Sequence, residues 1–179
     1  ILTGDRERDE RSVARLLATL NTVTTLASER EVTERVVDMI VELTGADRGL
    51  LLVATDDGGL QLDVGRTRDG EEVGPKELFS RTVTAQVLAS GEPVCIVDTL
   101  GAGPGEFSGS IAEMALRTIM CVPLRLRGQV FGVVYVDGQR ANREFDEADL
   151  ALLEAVCQQV SVTLENTRLN RAMLDAERL

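Results

Sequence analysis

The feature that most limits the fold is a pair of apolar stretches, Arg117–Leu124 (RTIMCVPL) and Val130–Asp137 (VFGVVYVD), on either side of a turn at Arg127-Gly128-Gln129. Strands this close in the chain pair antiparallel, because a parallel partner needs a crossover of roughly a dozen residues. The same device stands earlier in the chain. Gly49–Ala54 (GLLLVA) is apolar on both faces, Asp56-Asp57-Gly58-Gly59 is a hairpin turn signal, and Leu60, Leu62 and Val64 alternate with Gln61 and Asp63. A further strand, Val94–Asp98 (VCIVD), follows the stop Ser90-Gly91-Glu92-Pro93.

Helical spacing surrounds these strands. Ser28 and Glu31 form an S-x-x-E box before a helix lined by Val32, Val36, Ile40 and Leu43, with Gly45 at the C-cap position. Leu78–Ala89 carries Leu78, Val83, Val87 and Leu88 at helical spacing, and a glycine-rich loop over Thr99–Ser110 precedes a short helix near Ile111–Ala115. Hairpins interleaved with helices predict an α+β sandwich, an antiparallel sheet with helices on its faces and room for one pocket beneath a covering loop.

Both ends carry heptad-like seams. Val13, Leu16, Leu20, Val23 and Ala27 recur at alternating steps of 3 and 4, and so do Leu150, Leu153, Cys157, Val160, Leu164, Thr167, Arg171 and Leu174 along one long helix from Phe145. A second line, Leu152, Val156 and Thr163, is expected to dock on the sheet and leave the seam for another helix. A homodimer through the terminal helices is therefore expected, with Val13, Leu16, Leu20, Val23, Leu153, Val160 and Leu164 at the interface. The other possibility is that the two helices hide their seams against each other. Residues 1–11, with the charge run Asp5–Arg11 (DRERDER), read as a linker. Residues 12–169 form the domain, 170–179 extend its last helix, and a start at Ile1 suggests a piece of a longer protein.

Composition removes whole classes of chemistry. There is no histidine, which excludes Ser-His-Asp and Cys-His machinery, HExxH zinc sites and a histidine-ligated haem, and the expectation is that the chain is not an enzyme. The net charge of −11 repels a phosphate backbone, so no direct nucleic-acid partner is expected. Apolar runs are too short to span a bilayer, so no membrane partner is expected either. Gly101–Gly105 lacks the Gly-Lys-Ser/Thr ending of a P-loop and reads as a mobile loop or a lid that orders on a ligand. Cys95, Cys121 and Cys157 form no CxxC pair, read as small buried hydrophobes, and point to a reducing, cytoplasmic setting. No cofactor is indicated.

Three stretches resemble GAF domains: Leu78–Asp98 their middle helix and third strand, Arg117–Asp137 their closing hairpin, and Phe145–Leu169 their exit helix. The cadence is similar to GAF domains of bacterial sigma-54-dependent transcription activators and of related kinases, cyclases and phosphatases. The resemblance implies a sheet of five or six antiparallel strands with helices on both faces and a dimer bundle of terminal helices. It also implies a sensory module that binds an unidentified small molecule and relays the signal to an output domain. By that resemblance the ligand site lies between the sheet and Thr99–Ala115. Its candidate residues are Val94, Ile96 and Asp98 on one strand, Phe107, Ile111 and Met114 above, and Arg117, Ile119 and Tyr135 on facing strands. Arg117, if turned inward, favours an anion.

Special subclasses fit less well. The cyclic-nucleotide pattern N-K…F-x-x-x-D-E finds Asn142, Phe145 and Asp149, but Arg143 and Leu150 depart from it, and Asn142 and Phe145 also suit a turn and a helix start. Bilin binders need a Cys-His pair. GAF-type free methionine-sulfoxide reductases use paired low-pKa cysteines, and Cys95 and Cys121 are candidates for neighbours across the sheet. Two rival functions stay open: a ligand-free dimerisation scaffold and a cysteine-based redox sensor.

Overall fold

A computed structural model of the protein describes Ala18 and residues 28–76, 79–97, 118–138 and 145–178. Its elements run α1 (Glu29–Thr44), β1 (Arg48–Ala54), β2 (Leu60–Thr67), α2 (Arg81–Ser90), β3 (Val94–Val97), β4 (Thr118–Leu126), β5 (Gln129–Gly138) and α3 (Glu147–Glu177). The five strands form one antiparallel sheet in the order β2-β1-β5-β4-β3, so the two longest apolar strands lie at or next to its centre.

Local chemistry fixes the element ends. Ser28 caps α1 by accepting from the Glu31 backbone N–H, while the Glu31 carboxylate accepts from the Ser28 N–H, so two orphan donors are satisfied reciprocally. Asp146 and Asp149 repeat the arrangement at the start of α3, with Phe145 buried just before the cap. Gly45 and Gly91 end α1 and α2 in the left-handed conformation, each N–H returning to a carbonyl of the last turn. The β4–β5 turn is shorter than expected. Gln129 already pairs with Leu126, which leaves only Arg127 and Gly128 in the loop, both at positive φ as a type I′ hairpin requires.

The period-2 alternation of the strands divides the core in two. On one face Leu51, Met120, Val122, Leu124, Val134 and Val136 meet α1 (Val36, Val37, Ile40, Leu43) and α3 (Leu153, Val156, Cys157, Val160, Leu164). On the other, Leu50, Leu52, Ile119, Cys121, Val133 and Tyr135 meet α2 through Val83 and Val87. Helices cover both faces, as an α+β sandwich predicts. The coverage is unequal: α1 buries nine residues and α2 three.

The exit helix corrects the expected seam. Leu153, Val160 and Leu164 are 2%, 0% and 4% exposed and lie in the chain's own core, so they are not offered to a second copy. The reason is that both apolar lines of α3 are consumed by the broad sheet face and α1; Val156 and Thr163 of the second line are buried as well. The side chains left outside are Val162, Leu169, Met173 and Leu174, at 50%, 45%, 64% and 54% exposure. Val13, Leu16, Leu20 and Val23 lie outside the described residues. Among the described residues, no helix is long and apolar enough to cross a membrane.

Candidate functional site

The α2 face of the sheet gathers four of the residues expected to line a ligand site. Ile96 stands opposite Ile119, Ile119 opposite Asp137, and Asp137 opposite Arg48, which makes one row across β3, β4, β5 and β1. The next row is Val94, Cys121, Tyr135 and Leu50. Val94 and Ile96 are half-buried on the edge strand, whereas Ile119 and Tyr135 are fully enclosed. Asp98, Phe107, Ile111, Met114 and Arg117 lie outside the described residues. The chain leaves this end of the sheet at Val97, re-enters at Thr118 opposite it, and leaves again at Gly138.

The polar end of this face was not legible as a site in the sequence. Asp137 is 1% exposed, and its carboxylate accepts from Arg48 Nε at 2.8 Å and from Arg48 Nη2 at 2.8 Å, a bidentate pair. Tyr135 donates its hydroxyl to the same carboxylate and accepts a long bond, 3.5 Å, from the Ser80 backbone N–H at the cap of α2. Phe79 meets the Tyr135 ring edge-on, with centroids 6.1 Å apart. Burial pushes the Asp137 carboxyl above its ordinary value, and the Arg48 guanidinium offsets only part of that. Burial likewise pushes the Tyr135 phenol up. The one available signal was a pair of opposite charges at the ends of all-apolar runs, Arg48 before GLLLVA and Asp137 after VFGVVYV.

Among the described residues every buried side-chain nitrogen and oxygen already has a partner, and no group of three His, Cys, Asp or Glu can hold a metal ion. Phe145 and Asp149, from the partial nucleotide pattern, serve as a buried helix-start residue and a capping carboxylate; Asn142 lies outside the described residues.

The cysteine pairing is corrected. Val94, not Cys95, stands opposite Cys121, and Cys95 pairs with Met120. Cys95 therefore points to the α1/α3 face and Cys121 to the α2 face, because one residue of register reverses the side. Burial raises all three thiols, and for Cys95 the Asp149 and Asp146 carboxylates add to the shift. A thiolate is disfavoured at each position.

Comparison with solved structures places this geometry among known folds. The GAF domain of a phosphoenolpyruvate-protein phosphotransferase from Coxiella burnetii is similar with a TM-score of 0.62 and 15% identity, over 89% of this chain and 96% of that one. Free methionine-R-sulfoxide reductase from Neisseria meningitidis, solved with its substrate, gives 0.66 and 22% over 88% and 91%. The photoproduct state of GAF3 from Slr1393 of Synechocystis sp. PCC6803 gives 0.67 and 17% over 82% and 99%. No curated protein matches the sequence. The GAF domain family model matches residues 28–164, about three quarters of the chain, from the cap of α1 to the last core leucine of α3. The chain belongs to the GAF domain family, a family of sensory and signalling modules.

Proposed function

We propose that this chain is a ligand-responsive sensor and not an enzyme, that it works as a homodimer, and that it relays its state to an output domain of a bacterial transcription regulator of the sigma-54-dependent kind. The ligand is a small molecule held on the α2 face, over Val94, Ile96, Ile119 and Tyr135. The observation that carries the reading is the division of α3. Its first half is locked into the sheet by Leu153, Val156, Cys157, Val160 and Leu164, while residues 169–177 of the same unbroken helix stand exposed. A helix of 31 residues extends about 46 Å at 1.5 Å per residue, so a shift at the sheet moves its far end as a rigid body.

The dimer surface, in this reading, is the line Val162, Leu169 and Met173. Its steps of seven and four residues suit a two-stranded helical seam. Leu169→Ser with Met173→Ser is expected to abolish dimerisation in sedimentation experiments and to leave the fold intact.

The ligand half is tested by thermal shift against nucleotides, amino acids and small organic acids. A ligand at a hundred times its Kd adds about 2.7 kcal/mol, or about 5–11 °C for a domain of this size. If no compound moves the melting point while the dimer persists, the ligand half is wrong and a dimerisation scaffold is left. One observation favours that second reading: the buried polar groups of the α2 face are already satisfied within the chain.

A further inference from the structure

We propose that α2 is a hinged cover that opens as one piece, held by a side-chain latch at each end, and that the Arg48–Asp137–Tyr135 chain is the latch at its first turn. This proposal rests on the chain's internal contacts and stands whether or not a ligand binds the face beneath.

The helix has little apolar anchorage. Only Val83, Thr84 and Val87 are buried, Leu88 is half-buried, and Arg81, Thr82, Ala85, Gln86, Ala89 and Ser90 face outward. Thr84 adds no cross-contact through its hydroxyl, which donates to the carbonyls of Ser80 and Arg81 in its own first turn. Segments with few buried apolar contacts open at lower free energy than the core does.

What holds α2 comes from strands and acts at its two ends. At the start, the Ser80 N–H donates to the Tyr135 hydroxyl, which is fixed in turn by Asp137 and Arg48, and Phe79 rests on the Tyr135 ring. At the finish, the Arg125 guanidinium on β4 donates to the Gly91 carbonyl, where a cation meets the negative end of the helix. The guanidinium lies directly against Gly91: a Cβ there would sit 2.7 Å from Arg125 Nη2. The two latches are independent, since β4 supplies one and β5 with β1 supplies the other. The first is long and therefore weak; the second is charge-assisted.

Hydrogen exchange on the intact chain tests this. The readout is the set of protected amides from Thr84 to Gly91, compared with those of α1 and of the sheet-bound half of α3. Tyr135→Phe removes the first latch and Arg125→Met the second. Either substitution is expected to speed exchange across all of Thr84–Gly91, by about three-fold or more for Tyr135→Phe and about ten-fold for Arg125→Met. The amides of α1 and α3 keep their native rates. Acceleration confined to the end nearest the substitution means fraying and overturns the cover. Equal acceleration in α1 and α3 means that α2 opens only with the whole domain, and also overturns it. Unchanged rates do the same. Arg125 is exposed, so its replacement gives a folded protein even if Tyr135→Phe does not.

Discussion

Replacing Arg48 with Met keeps most of the side-chain stem and removes the guanidinium that Asp137 faces. Breaking a buried pair from one side costs about 3–5 kcal/mol, because the remaining charge loses its partner without regaining water. Arg48 keeps 17% of its side chain exposed, so the lower end applies: about 3 kcal/mol at neutral pH. For a domain of this size that lowers the melting point by about 6–12 °C. The sign of the pH dependence follows from Asp137. Burial holds its folded pKa above the ordinary 3.8, and losing Arg48 raises it further. A carboxyl raised by folding contributes stability that is fully present below its unfolded pKa and lost as pH rises through the folded value. The deficit of Arg48→Met against the native chain should therefore be small near about pH 4 and full near about pH 8. Asp137→Asn added to Arg48→Met removes the stranded charge but still offers Tyr135 an acceptor. At the higher pH this double variant should regain about 2 kcal/mol over the single one and show no such dependence. Urea denaturation across that pH range is the assay. A deficit equal at both ends, or a double variant no better than Arg48→Met at the alkaline end, refutes the argument.

Three other outcomes follow from packing and burial. Gly132→Ala would place a Cβ 2.4 Å from the Leu52 backbone oxygen, which cannot move without breaking the β1–β5 ladder, and should cost about 2–3 kcal/mol in denaturant titrations. Leu153→Ala, in the core between α3 and the sheet, should lose about 3 kcal/mol by the same measurement, whereas Gln86→Ala, on the outward side of α2, should lose under about 0.5. A maleimide reagent should label at most Cys95 on the native chain, and slowly, with all three thiols reacting in denaturant; fast native labelling of Cys121 or Cys157 would contradict their burial.

Much of the fold was written in short-range pattern. The Ser28–Glu31 box and the Gly45 and Gly91 stops each act within a few residues, and each lies where its local chemistry puts it. The alternation of Leu60, Leu62 and Val64 is corrected: a register shift opposite Leu51 and Leu52 leaves Leu60 and Leu62 on the α2 face and turns Val64 into the α1/α3 core. What escaped depends on parity and distance. Cys95 and Cys121 are on neighbouring strands, yet a shift of one residue decides whether two side chains meet, and the sequence holds no marker for it. The Arg48–Asp137 pair joins positions 89 residues apart, with nothing but a charge at the end of each apolar run to announce it. On α3 a 3-4 repeat identifies an apolar line without saying what the line meets. The core took Leu153, Val160 and Leu164, and the outward line of Val162, Leu169 and Met173 is sparser, broken by the polar Asn166, and easily passed over.

Strand β5 bonds to β1 along one margin and β4 along the other, and its side chains take turns: Val133, Tyr135 and Asp137 look toward α2, Val134 and Val136 toward α1 and α3. A backbone gripped on both margins has no slack in which to absorb a displacement. A substitution that displaces Tyr135 is therefore expected to register in the packing of Val134 and Val136 on the far side, since a single backbone wall serves both cores.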